Sequence, residues 1–353
     1  MDNKVTQRQL SDLLSKTVPN HLPVLVASSP GIGKSSIFKQ AAERIGFKFK
    51  AMHPATLDPV DFSGMPAPVT RGEVTRIMRL LDDYLGEVFE AKEPTLLLLD
   101  ELGQAAPAVQ AACAPLLLDR RVGNYTLPDF VTVCAATNSR QHRAGANNIL
   151  THLISRMATV LELVCDPRDW EDWAVRAGIR HEVISFIRFR SKLLNDFDAE
   201  KSYSEMQAYP NPRSWEHMSK LLNAGIDRSV EMAAYAGCVG PGASQEFYTH
   251  LTAVRELPDL DHMIAHPKQF KMPAGTTMAS IRYAIATGVA MRISEPNHEN
   301  VLEIITKIHE QKHAEFAAVA LRDVLRVMPA VCGYPAFAQF QEKSPVAKTI
   351  MRV

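Results

Sequence analysis

The pattern of apolar and polar positions changes character at Cys165. Before it, short apolar blocks alternate with helical patterns. Val24 to Ala27, Leu96 to Leu99 and the run from Phe130 to Ala136 are nearly unbroken, which predicts strands buried on both faces of a parallel sheet. Phe47 to Met52 alternates and predicts another strand, and Ala158 to Val164 a fifth. Thr6 to Lys16 predicts a helix with Leu10, Leu13 and Leu14 on one face and Thr6 as its cap. From Lys34, Ile37, Phe38, Ala41, Ala42 and Ile45 share one helical face, while Lys39, Gln40, Glu43 and Arg44 share the other. Leu80 to Phe89, Gln104 to Asp119 and Leu150 to Arg156 also predict helices. Ala67 to Arg79 predicts a hairpin turning at Arg71-Gly72, with Val69, Val74 and Ile77 as apolar anchors. After Cys165 the pattern is helical throughout. Its clearest amphipathic runs are Arg180 to Leu194, Trp215 to Leu222, Ile281 to Ile293, Val301 to Ile308 and Phe316 to Val327.

Composition narrows the setting. A chain of 353 residues exceeds one small core, so two or more domains are expected. The 39 basic and 39 acidic residues balance, which leaves no overall basic excess to mark a nucleic-acid partner. Aromatic residues make up 7%, too few to predict a base-stacking platform. Cys113, Cys134, Cys165, Cys238 and Cys332 lie far apart with no C-x-x-C pair, the pattern of reduced thiols in a cytoplasmic protein. Met1 to Thr17 is polar and helix-like, unlike a signal peptide. No apolar run reaches the length of a membrane span.

The chemistry concentrates where the strands end. The block at Val24 runs into Ser28-Ser-Pro-Gly-Ile-Gly-Lys-Ser35 and then into the helix. Gly31 and Gly33 lack a Cβ and let backbone N–H groups crowd around a phosphate. Lys34 supplies a mobile charge for outer phosphates and Ser35 a hydroxyl for Mg²⁺. The positive end of the following helix faces the same anion. Thr95-Leu-Leu-Leu-Leu-Asp-Glu101 is a second buried strand, and it ends in two carboxylates. Asn138 ends a third, at the carboxyl edge where ligands of parallel sheets sit. The plain alternatives are a solvated lysine, a strand that merely meets solvent, and an asparagine that starts a turn.

These strings resemble the P-loop of nucleoside triphosphatases, with Ser28 standing where the pattern has glycine. Together with Ala136-Thr-Asn138, Leu153-Ile-Ser-Arg156 and Asn211-Pro-Arg-Ser-Trp215, the series looks like an AAA+ ATPase. Asp58-Pro-Val-Asp-Phe-Ser-Gly-Met-Pro66 and Gly123-Asn-Tyr-Thr-Leu-Pro128 look like its MoxR branch. The resemblance implies an α/β P-loop NTPase fold, an AAA+ αβα sandwich with a parallel sheet. An all-α lid and a C-terminal helical region follow, with divisions at 1–165, 166–250 and 251–353. It implies that Ser29, Pro30, Gly31, Ile32, Gly33, Lys34, Ser35 and Ser36 bind ATP, and that Ser35 and Asp100 hold Mg²⁺. In that resemblance Glu101 is the base, Asn138 sensor 1, Arg156 the arginine finger and Arg213 sensor 2. It also implies a homo-oligomeric ring, usually a hexamer, whose finger acts on the neighbour's nucleotide. A remodelled protein client and a von Willebrand A-domain partner follow from family alone.

Several rival readings stay open at this level. Arg140 and Arg143 compete with Arg156 for the finger, and Arg213 is also an ordinary helix-start charge. Phe62 and Met65, on a glycine-bearing loop, are candidates for gripping a client, while Phe62 is equally a core residue. Arg71, Arg76 and Arg79 are candidates for lining a ring pore. His309-Glu-Gln-Lys-His313 spells a zinc-protease string but lacks a third ligand. A motor acting on nucleic acid and a nucleotide-gated scaffold with little turnover are the alternatives to a protein-remodelling ATPase.

Overall fold

The structure is a computed structural model that describes residues 3–139, 149–197, 207–275 and 278–350, with Arg71 described by its backbone alone. The chain forms two compact units; the first runs to Asp166 and the second begins at Pro167.

In the first unit the strands are β1 (Lys4–Val5), β2 (Val24–Ser28), β3 (Lys48–Met52), β4 (Met65–Arg71), β5 (Val74–Leu80), β6 (Thr95–Leu99), β7 (Arg121–Val122), β8 (Tyr125–Thr126), β9 (Val131–Asn138) and β10 (Thr159–Leu163). Six of them make one parallel sheet in the order β1-β10-β2-β9-β6-β3. Strand alternation sends neighbouring side chains to opposite faces. Val24, Val26, Leu96, Leu98, Cys134 and Ala136 share a core with Leu10, Leu14 and Phe38 from the helices Gln7–Thr17 and Lys34–Arg44. Leu25, Leu97, Leu99, Val133 and Ala135 face a second core with Leu85, Val88, Val109 and Cys113 from Asp83–Phe89 and Pro107–Leu118. Both faces are therefore covered, as a sheet of continuous apolar runs requires. This is the αβα architecture of the P-loop NTPase fold.

The local signals account for most boundaries. Thr6 caps the first helix, and Gln9 returns a side-chain bond to the Thr6 backbone N–H. The sheet begins earlier than the polar N-terminus predicts, because Lys4–Val5 pairs with Glu162 and Leu163 of β10. At the opposite edge, the Tyr84 hydroxyl accepts from Ala51 N at 3.2 Å and donates to Ala51 O at 3.0 Å.

Two expectations for the hairpin region are corrected. β4 and β5 do pair antiparallel, but Val74 and Ile77 are 52% and 70% exposed and anchor nothing. Three positions apart on one strand, they point to opposite faces of a two-stranded ribbon. Phe62 is 1% exposed and buried among the residues of the second core, so it does not reach out to a client. Only Met65 of that pair is exposed. Gly64 lies between them at φ 76, and a Cβ there would sit 3.0 Å from Arg79 Cβ and 3.1 Å from Leu80 O. The Arg79 guanidinium donates to Gly64 O at 2.8 Å and ties the ribbon to its base.

The second unit is helical in all its described residues, apart from turns. Ala279–Met291 packs against both His181–Phe189 and Ala314–Val327. A Cβ on Gly288 would meet Leu260 Cδ1 at 2.5 Å and His181 Cδ2 at 2.8 Å, so glycine lets these helices close up. Phe186, Trp215 and Phe247 form a ring cluster with centroids 5.4–5.6 Å apart. Arg188 is buried against Asp323, Glu171 and Thr287. Burial opposes its charge, and the Asp323 and Glu171 carboxylates more than offset that, so its pKa is raised.

The cysteines are free thiols, and burial pushes those of Cys113 and Cys134 up to about 12. No helix among the described residues is long and apolar enough to cross a membrane.

Candidate functional site

The three strands that carry the candidate residues are neighbours, in the order β2-β9-β6. Parallel pairing sets Ser28 opposite Asn138 and Leu99 opposite Ala135. The loop after β2, the carboxylates after β6 and the tip of β9 therefore meet at one end of the sheet. That is the carboxyl end, the common ligand position in open α/β sheets.

The loop closes with Gly31 at φ 79 and Gly33 at φ 93, conformations that side-chain-bearing residues rarely adopt. A Cβ on Gly33 would meet nothing within 4 Å, so backbone freedom rather than room is what the position requires. Gly33 is the N-cap of Lys34–Arg44 and offers no side chain to cap it. The N–H groups of that first turn stay directed outward, with the helix dipole behind them.

Lys34 is 8% exposed, and its ammonium is surrounded by oxygens. It donates to Ser28 Oγ at 2.8 Å and to Asn138 Oδ1 at 2.9 Å, with Ser29 O at 3.5 Å. Ser35 donates its hydroxyl hydrogen to the Asp100 carboxylate. The other Asp100 oxygen accepts from Glu101 N at 3.0 Å. Glu101 itself has φ 58, a left-handed conformation costly for a residue with a Cβ. That backbone turn follows directly on the end of β6 at Leu99 and on Asp100.

These groups fit the cofactors expected of them. A hydroxyl and a carboxylate side by side are hard oxygen donors of the kind Mg²⁺ takes, and Mg²⁺ commonly needs only one or two protein ligands. A glycine turn, uncapped helix start and lysine are the usual cradle for a phosphate chain.

The arginines belong to other elements. Arg156 follows the short helix Thr151–Ile154 in the first unit. Its Nη1 donates to His152 O at 2.6 Å, while its buried Nε has no hydrogen-bond partner among the described residues. Arg213 belongs to the second unit, exposed in the first turn of Pro212–Asn223. Asn211 caps that helix by accepting from Ser214 N at 3.0 Å. Burial raises the Tyr209 pKa, and the Arg213 charge partly counters it. Arg140 and Arg143, the rival fingers, lie outside the described residues.

The zinc-like string is broken by the fold. Helix His298–Glu310 ends before His313, Lys312 turns at φ 66, and His313 caps the next helix. His309 and His313 are therefore not a ligand pair on one helical face. Among the described residues no three metal-binding side chains cluster. The residue missed from sequence is Ser28, visible there only as a departure from glycine. Its signal was a hydroxyl at a strand end six positions before the lysine.

No protein-family model matches the chain. Midasin of Giardia intestinalis is 26% identical over 168 residues, which cover 45% of this chain and 3% of that curated relative's length. Among solved structures, the RuvB Holliday junction branch migration motor of Thermotoga maritima aligns with a TM-score of 0.39 and 12% identity. That alignment covers 78% of this chain and 80% of RuvB. NtrX of Brucella abortus in complex with ADP aligns with a TM-score of 0.40 and 13% identity, over 96% of this chain and 68% of NtrX.

Proposed function

We propose that this chain is an AAA+ ATPase of the MoxR type, which hydrolyses ATP with Mg²⁺ to remodel or activate a protein client. The observation that carries the reading is the convergence of Lys34, Ser35, Asp100, Glu101 and Asn138 at the carboxyl ends of three adjacent parallel strands.

Each group has a role in this reading. The backbone from Ser29 to Ser36 wraps the phosphate chain, and Lys34 balances its outer charge. Ser35 and Asp100 would hold Mg²⁺, which would supply positive charge against the outer phosphates. Glu101 takes the proton of the attacking water, and Asn138 orients that water with its amide. Arg156 serves as the finger toward a neighbouring subunit's nucleotide, and its Nε has no hydrogen-bond partner among the described residues. Residues 166–250 act as the lid, with Arg213 as sensor 2, and 251–353 as a C-terminal extension. Head-to-tail repetition of a finger contact closes into a ring; a hexamer and a von Willebrand A-domain partner belong to the same reading.

Phosphate release from ATP tests it. Lys34→Ala should abolish nucleotide binding, and Glu101→Gln should bind ATP without turning it over. Undiminished hydrolysis by Glu101→Gln would end the assignment of the base. The Glu101→Gln protein, held in its ATP state, is also the bait for capturing the client.

A further inference from the structure

Ser28 occupies the first position of the phosphate loop, where the pattern has glycine. It is the last residue of β2 and 1% exposed. Its carbonyl accepts from Ser139 N at 2.8 Å, which fixes the backbone. Its hydroxyl donates to Ser29 O at 2.8 Å. A hydroxyl has one hydrogen, so with that hydrogen committed only lone pairs face the lysine. Lys34 Nζ lies 2.8 Å away on that side. Ser28 is thus an oriented acceptor for the ammonium, on a rigid strand end. Lysine brings a flexible four-carbon stem, and ordering it on ligand binding costs conformational entropy. An acceptor already in place removes part of that cost before any phosphate arrives.

We propose that Ser28 is a positioning residue for the nucleotide: its hydroxyl holds the Lys34 ammonium where the outer phosphates bind. A glycine or alanine there supplies no such oxygen. The proposal rests on the phosphate-loop reading above and adds to it a side chain that the general pattern does not contain.

The test uses the full chain and displacement of a fluorescent ATP analogue by ADP, ATPγS and AMP. Ser28→Ala and Ser28→Gly should each weaken ADP and ATPγS about tenfold, the size of one hydrogen bond to a charged group. AMP ends before the phosphates that Lys34 serves, so its affinity should stay within about twofold. Melting curves without nucleotide establish that each variant is folded, and Ser28→Gly decides the matter if Ser28→Ala is not. Equal weakening of AMP and ADP would mean general damage to the loop and would overturn the positioning role. Native or tighter ADP binding by Ser28→Gly would overturn it too. Lys34→Ala separates the two levels. If Lys34→Ala keeps native ADP affinity, the phosphate-loop reading itself fails. If Lys34→Ala loses ADP while both Ser28 variants bind it normally, only the role of Ser28 falls.

Discussion

The Lys34 ammonium lies 2.9 Å from Asn138 Oδ1, across 104 positions of sequence. The contact exists because β2 and β9 are paired in parallel and end together. It gives the lysine a neutral acceptor, one that a phosphate can replace. Asn138→Asp would put a carboxylate there instead, paired with the lysine and repelling the incoming anion. We expect ATP and ADP affinity to fall at least about tenfold, with unliganded stability unchanged or higher. Titration with a fluorescent nucleotide and a melting curve check both; undiminished affinity would count against Lys34 as the phosphate contact.

Glu101 holds a left-handed conformation that asparagine tolerates better. Glu101→Asn should raise unfolding stability by about 0.5–1 kcal/mol and remove turnover. Urea midpoints and phosphate release report the two effects. A less stable variant would show that the strain at this position is not what its geometry implies.

Loss of the Arg156 side chain should lower turnover by about 10³–10⁵-fold and leave nucleotide affinity much less changed. If Arg156 acts across a subunit boundary, Arg156→Ala and Glu101→Gln should recover partial activity when mixed under conditions of demonstrated subunit exchange. Exchange without recovery would remove the main support for action in trans. Wild-type turnover by Arg156→Ala would end the finger assignment.

Phe62 belongs to the core and not to a client-binding surface. Phe62→Ala should cost about 3–5 kcal/mol of stability. Denaturant unfolding measures it; a loss under about 1 kcal/mol would contradict the burial.

Acid should weaken the second unit. Burial pushes His181 and His250 down to about 4, with Glu182 opposing the shift at both. Arg180 and Arg292 also face His181 and reinforce its shift. The unfolded chain takes up these protons near the ordinary histidine value, about 6.5. Between the two values the unfolded state binds more protons, so stability is present above about pH 6.5 and is lost as pH falls toward 4. The loss at pH 5 is on the order of 2 kcal/mol for each histidine. Urea midpoints across this range should fall, and less steeply in His250→Gln. A flat profile would contradict neutral burial.

Much of the first unit was legible because its strands are buried on both faces. Leu96 to Leu99 can hardly be anything else between a loop and two carboxylates, and the glycine turn marks its own helix start. What stayed hidden depends on partners distant in the chain. Lys4–Val5 becomes a strand only through β10. Val74 and Ile77 are apolar like buried residues, but apolar character does not say whether a layer covers them. Arg188 reads as one charge on an amphipathic helix, while its counterion Asp323 is 135 positions away. His309 and His313 have ligand spacing, and the intervening turn at Lys312 cancels it.

The bond pair between Tyr84 and Ala51 has a consequence for how the protein behaves when concentrated. β3 is the outer strand of the sheet, and an outer strand offers its free peptide groups to any extended chain that comes near. One phenol occupies both polar groups of Ala51, next to the last residue of the strand. An intruding chain would have to displace it to continue a ladder past that point. The single hydroxyl thus helps to keep the sheet from growing sideways into aggregates, a service to solubility rather than to catalysis.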